Sequence, residues 1–333
     1  INRLIIQVMA ALATGGAVVC SQFVGKGKEE GAKKSGAQLE TVLLVFSVCM
    51  TLLSLIGTRG LLHAVFGNVS EDVMDSAVLY FTVTSLSFPF LGIYNAGAAI
   101  FRSIGNSKIS MQISLLMNVI NIVGNAIFVF GCHWAVFGVA LATLLSRIVA
   151  GIVITMLVCG KTNPIRIDKW SELKPDGSII KKILAIGIPS GVENGMFQIG
   201  KLAVTSMVAT FGTASIAANS VGYTVIDFAN IPGNAMGLAL ITVVGQCIGA
   251  GEKKQAKQYT KKLVGLAYLG DWICNIVLFL LAGMIAEWFH LSPEAVRIAE
   301  QILHCLCGAF LVISAASFSL SNSLRDAGHA TLN

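Results

Sequence analysis

Long apolar stretches separated by short polar turns run along the whole chain, and their length decides the fold. A helix crossing a bilayer needs roughly 20 mostly apolar residues. Runs of that kind lie at 5–24, 39–57, 77–100, 109–130, 134–159, 183–210, 214–248, 263–288 and 299–320, so nine spans are expected. Barrel strands would be about ten residues of strict alternation, whereas these runs are continuous and rich in Leu, Ile, Ala and Gly. The expected class is an all-α integral membrane protein, a polytopic helical bundle. Pro89, and Pro232 with Gly233, fall inside spans and are expected to bend them, because proline removes a backbone donor. Composition agrees, since 55% hydrophobic and 12% charged residues leave too little polar surface to coat a soluble core.

Basic residues orient the bundle, because cytoplasmic loops carry the excess of Lys and Arg. With nine alternating spans, eighteen of the 23 Lys and Arg fall on one side, at 26–34, 102–108, 161–182, 253–262 and Arg325. The opposite side holds only Arg59 and Arg297, so the crowded side is cytoplasmic and the protein belongs in the cell membrane, plasma or inner, as a multi-pass protein. The net charge of +6 is thus spread over short loops with no aromatic platform or reading motif, which excludes nucleic acid as a partner.

The polar loops repeat. "VVCSQFVGKGKEEGAKK" around Gln22 matches "TVVGQCIGAGEKKQAKQ" around Gln246, placing Gln22, Gly25 and Gly27 on Gln246, Gly249 and Gly251. "FRSIG" at 101–105 meets "LRDAG" at 324–328, and Phe66, Glu71 and Val73 meet Phe289, Glu294 and Val296 at nearly the same offset. Repeated halves are how many secondary transporters build a site between two bundles. The expected organisation is an amino-terminal bundle at 1–160, a cytoplasmic linker at 161–182 containing Pro164 and Pro175, and a carboxy-terminal bundle at 183–333. The nine spans are read as the second to tenth of a twelve-span parent made of two six-helix repeats, with one span preceding Ile1 and two following Asn333.

Taken together, "SQFVGKGKEEGAKK", "GQCIGAGEKKQAKQ", "FRSIGNSK", "LRDAG", "NVINIVGNAIFVFG", "GVALATLLSR" and "IGIPSG" resemble the multidrug and toxic compound extrusion family, MATE. The resemblance covers essentially the whole chain. It implies a secondary antiporter that exports cationic or amphipathic small molecules in exchange for inward Na⁺ or H⁺, by rocking of two bundles. It also implies no cofactor beyond the coupling ion, and a monomer in the lipid bilayer. Flipping of lipid-linked oligosaccharides, by a transporter of the same superfamily, is the alternative within the resemblance.

Ionisable groups inside spans are costly and usually face a cavity or a partner. Counted from the turn at 211–214, Glu193, Lys201 and Asp227 all come near the bilayer centre at about 1.5 Å per residue. Asn194, Gln198, Lys201 and Thr205 recur at helical spacing as a polar stripe with Glu193 on its flank. The stripe reads as a substrate or proton cavity, or else as an ion pair that locks two helices, Lys201 pairing with either Glu193 or Asp227. An acid in a low-dielectric cavity can attract a cation or exchange its charge for a proton; Glu193 is the first choice for this, by chemistry rather than by matched position.

Asn118, Asn121 and Asn125 lie on one face of the 109–130 span, with Thr143 on the next. Amide and hydroxyl oxygens suit sodium, and asparagines also bond helix to helix. The resemblance implies that positions matching Asn121, Asn125 and Thr143 contribute to a sodium site together with an acid on the first span, the family's usual aspartate standing as Asn125 here. The paired loop residues Gln22, Gly25, Arg102, Gly105, Gln246, Gly249, Arg325 and Gly328 read as helix caps and interfacial anchors, or as a latch between closed bundles.

Cysteines and histidines show no zinc spacing and no CxxC pair, so no metal centre is expected. Without a phosphate-binding glycine loop, ATP is not the energy source. A membrane-embedded enzyme, the reading from a different class, lacks a clustered nucleophile or paired acids.

Overall fold

The computed structural model describes residues 2–66, 71–160, 163–167, 173–289 and 291–326, with side chains described among them except at 61, 64–66 and 311–326. Every long element among the described residues is a helix. The chain divides into two compact units, Ile1–Val192 and Glu193–Asn333.

In the first unit, α1 (Asn2–Gly25), α2 (Glu29–Phe66) and α4 (Phe88–Ser103) pack on one another. α3 (Glu71–Ser85) lies against α2 and α6, and α6 (Ala135–Val158) packs on α4 and α5. α5 (Ser107–Asn125) runs on into a π-helical turn, Ala126–Gly131. α7 (Gly177–Ala209) begins in this unit and ends in the second. There, α8 (Thr213–Ala229), α9 (Ile231–Gly249), α10 (Lys253–Leu280) and the short α11 (Ala282–Trp288) gather around α12 (Pro293–Asp326).

Among the described residues, six helices have the length and apolarity to cross a membrane, and α3 with α4, bent by 44°, make a seventh. α7 and α12, at 33 and 34 residues, have the length, but α7 carries the polar stripe of Glu193, Asn194 and Gln198. The span expected at 214–248, with its bend at Pro232, is interrupted at Asn230 into α8 and α9. The chain turns at Asn230 between α8 and α9, because Pro232 cannot supply the N–H that a continuous helix needs there.

Helix ends repeat as the sequence does. After α1, the N–H groups of Lys26, Gly27 and Lys28 donate to the carbonyls of Gln22, Val24 and Phe23. After α9, Ala250, Gly251 and Glu252 donate in the same pattern to Gln246, Ile248 and Cys247. After α4, Ile104, Gly105 and Asn106 donate to Ile100, Arg102 and Phe101. Each is a C-terminal cap closed by a left-handed residue. The residue that needs glycine is Gly27 (φ 65°) and Gly251 (φ 82°), two positions beyond the helix-ending Gly25 and Gly249.

Small residues set the closest approach. A Cβ on Gly15 would lie 2.6 Å from the Ile183 carbonyl oxygen and 2.8 Å from the Gly187 nitrogen. Both are backbone atoms that no rotamer change can move. Gly15→Val is therefore expected to cost on the order of 3 kcal/mol by forcing α1 from the start of α7, seen as loss of the monodisperse peak in detergent gel filtration.

Of the 161–182 segment, residues 177–182 are already the first turns of α7. The residues before them are tied to α2: Gln38 Nε2 donates to the Lys174 carbonyl and Gln38 Oε1 accepts the Asp176 N–H, each at 2.9 Å. Thr41 Oγ1 donates to the Leu173 carbonyl at 3.2 Å. Asp176 then caps α7, its carboxylate accepting both the hydroxyl and the N–H of Ser178. Those bonds hold its carboxyl below the usual range, so the cap's contribution is present above the ordinary aspartate pKa and is lost as pH falls through the lowered one.

Candidate functional site

The first cluster lies between α5 and α6. Asn125 Nδ2 donates to Asn121 Oδ1 at 3.2 Å, Asn121 Nδ2 donates to Thr143 Oγ1 at 3.2 Å, and the Thr143 hydroxyl donates to the Val139 carbonyl at 3.0 Å. The two helices can approach this closely because Gly124 faces Ala142, whose Cβ would be 3.0 Å from a Cβ on the glycine. The ladder ends on Asn125 Oδ1, a buried amide oxygen that accepts no hydrogen bond. Such an oxygen is costly in a bilayer unless something positive meets it. Asn118, one turn earlier on α5, is exposed and stands outside the ladder. The π-helical turn begins directly after Asn125. It is closed by Phe128 stacked on Trp134, with ring centroids 5.9 Å apart.

The second cluster lies on the hairpin of α7 and α8. Lys201 Nζ is 3.5 Å from Asp227 Oδ1. It also stands over two rings, 5.4 Å from the Phe197 centroid and 5.2 Å from that of Tyr223. The alternative left open by depth alone is thereby resolved: Lys201 pairs with Asp227. Glu193 sits two turns earlier on α7 and is exposed, while Asn194 and Gln198 are half-buried along the stripe. Thr205 uses its hydroxyl on the Lys201 carbonyl at 2.8 Å.

Among the loop residues, Gln22 and Gln246 supply cap carbonyls through their backbone. Arg102 Nη1 donates to Ser110 Oγ at 3.2 Å, joining the end of α4 to the start of α5. Only the helical backbone of Arg325 is described, and Gly328 lies outside the described residues.

The MatE family pattern matches residues 1–127 and 189–332, which is most of the chain. The chain belongs to the MatE family. "Probable multidrug resistance protein YoeA" of Bacillus subtilis is 24% identical, over 98% of this chain and 71% of that protein. "Probable multidrug resistance protein NorM" of Thermotoga maritima is 24% identical, over 97% and 69%. A solved structure described as the outward-facing conformation of a multidrug resistance MATE family transporter of the MOP superfamily superimposes with a TM-score of 0.92 at 22% identity, covering 99% of this chain and 73% of that one. The fold is that of MATE transporters, and the protein is a multi-pass integral membrane protein.

This MatE chain also carries two charged contacts that the apolar pattern did not single out, one half-buried and one buried, each at a break between helices. Where α3 gives way to α4, Arg147 of α6 donates to Ser87 Oγ at 2.8 Å, and Ser87 in turn donates to the Thr84 carbonyl at the end of α3. Thr51 of α2 bonds the Ser85 carbonyl beside it at 3.0 Å. A cation at a helix C-terminus meets the negative end of the dipole. In the second unit the polarity is reversed. Asp271 of α10, 2% exposed, accepts the Gly233 N–H at 2.9 Å, at the positive N-terminus of α9. A Cβ on Gly233 would lie 2.8 Å from Asp271 Oδ2, and one on Gly270 would lie 2.7 Å from Pro232 Cβ. The signal for Asp271 was in the sequence: a lone acid inside an apolar span, preceded by glycine, in a repeat whose neighbouring span contains Pro-Gly.

Proposed function

We propose that this protein exports cationic or amphipathic small molecules in exchange for inward sodium ions. The observation that carries the substrate class is the α7–α8 cluster, where a carboxylate and two aromatic rings converge on a positive charge inside the membrane. Aromatic faces attract weakly hydrated cations, and a carboxylate at membrane depth supplies the counter-charge. The names of the relatives, multidrug resistance proteins in both cases, support transport over an enzymatic role.

Sodium is favoured over protons by the α5–α6 ladder. Its groups are two amides and a hydroxyl, none of which titrates in the physiological range. Asn125 Oδ1, buried without a donor, is the oxygen placed to meet a cation, with Asn121 Oδ1 and Thr143 Oγ1 adjacent along the ladder. Glu193 attracts the substrate's charge from the flank of the α7 stripe.

The test is transport of ethidium in proteoliposomes under an imposed sodium gradient and, separately, a proton gradient, with Glu193→Gln in parallel. Sodium-driven movement is expected, with Glu193→Gln weakening the apparent dye affinity about three- to tenfold. Absence of dye movement under either gradient would contradict export and put flipping of a lipid-linked sugar in its place.

A further inference from the structure

We propose that Phe197, Tyr223 and Asp227 form the subsite for the positive group of an exported organic cation, and that Lys201 is its built-in occupant, which the substrate displaces. The inference rests on the export reading given above.

Three observations carry it. The first is composition: one carboxylate and two rings surround a single ammonium, which lies 3.5 Å from the oxygen and 5.2 and 5.4 Å from the ring centroids. Both rings are within the roughly 6 Å over which a cation–π attraction acts. A cage of this make-up would recognise a quaternary ammonium or a phosphonium as readily as a lysine.

The second is placement. Phe197 and Lys201 are one turn apart on α7, and Tyr223 and Asp227 are one turn apart on α8. Each pair shares a helix face, and Lys201 reaches across the hairpin to Asp227 and Tyr223. The third is looseness. A charge pair that serves only to hold helices together in a membrane is expected to be sealed and fully hydrogen-bonded. Here the contact of 3.5 Å is longer than the roughly 2.7–2.9 Å of a charge-assisted hydrogen bond. A lysine has four methylenes on which to swing away, leaving the carboxylate and rings to the incoming cation.

A tethered competitor has a consequence for selectivity. Its effective concentration is about millimolar or higher for so short a tether, so a ligand must outbid it. Compact, strongly hydrated cations gain little from the rings, whereas bulky cations with delocalised charge gain more. Lys201 thereby acts as a filter that favours large organic cations.

The experiment is equilibrium binding of tetraphenylphosphonium to the purified protein in sodium-free detergent solution. Lys201→Gln is expected to tighten binding about tenfold by vacating the cage, while Lys201→Arg, which keeps a cation there, stays within about twofold of wild type. Adding Asp227→Asn to Lys201→Gln is expected to return the gain. Lys201→Met carries the same expectation should the glutamine variant fail to fold, and Tyr223→Leu in the otherwise native protein is expected to weaken binding about threefold or more. Unchanged or weaker binding in Lys201→Gln or Lys201→Met, or unchanged binding in Tyr223→Leu, would overturn the proposal. Ethidium export by the wild type, measured alongside, reports on the export reading separately: export with no gain in the lysine variants refutes the cage and leaves export standing.

Discussion

Asp271→Ala is expected to lower the midpoint of thermal unfolding in detergent by roughly 5–10 °C, the effect of losing about 2–3 kcal/mol. The aspartate is buried and its Oδ1 accepts the Gly233 N–H in the first turn of α9. Removing it takes away the acceptor of that buried donor and the negative charge at the N-terminus of α9. Asp271→Asn keeps the acceptor oxygen and is expected to recover most of the loss. If alanine and asparagine are equally destabilising, the carboxylate's charge, not its hydrogen bond, is what α9 requires. If neither moves the midpoint, the break at Asn230 is held by Pro232 against Gly270 alone.

The second large effect is expected at Asn121. This residue is the centre of the α5–α6 ladder, accepting from Asn125 and donating to Thr143. Asn121→Leu removes one oxygen, leaves the Asn125 amide without its acceptor and fills the space with a branched side chain. The sodium concentration for half-maximal exchange is expected to rise about tenfold, equivalent to about 1.4 kcal/mol. Thr143→Ser, which keeps the hydroxyl, is expected to stay near wild type. Asn118→Leu, outside the ladder, serves as the control and should leave the sodium dependence unchanged. Equal losses from Asn118→Leu and Asn121→Leu, measured as initial rates of dye movement against sodium concentration, would show that the face as a whole matters for packing and the ladder for nothing further.

The helical class and the repeat were legible because both rest on one-dimensional patterns: apolar runs of spanning length and two glutamine–glycine loops that align. The aligned loops even share their cap hydrogen bonds, since Gly27 and Gly251 are the only residue type that adopts their backbone angles without strain. The asparagine face was legible from its three- and four-residue spacing. That Asn118 falls outside the ladder was not, because a face spans several residues and only the approach of α6 at Gly124 selects among them.

Depth counting placed Glu193, Lys201 and Asp227 together, yet could not choose the lysine's partner. Depth fixes height in the membrane, whereas pairing depends on rotation of each helix about its axis. The roles of Asp271 and Arg147 were hidden for a related reason. Asp271 meets a backbone N–H at the α8–α9 break, and Arg147 meets a serine hydroxyl that itself bonds a backbone carbonyl at the α3–α4 break; a break's N–H and carbonyl groups have no signature beyond the proline that causes them. Gln38 is the extreme case, bonding the backbone of a residue 136 positions away, a contact with no sequence pattern at all.

Exchange of an organic cation for sodium is the central claim, and the direct measurement is coupled flux. Proteoliposomes loaded with ethidium and placed in radioactive sodium, with equal sodium on both sides and no proton gradient, are expected to accumulate the tracer as the dye leaves. The accumulation should disappear when the dye is omitted and fall with Asn121→Leu. Dye leaving without any movement of sodium would contradict the account.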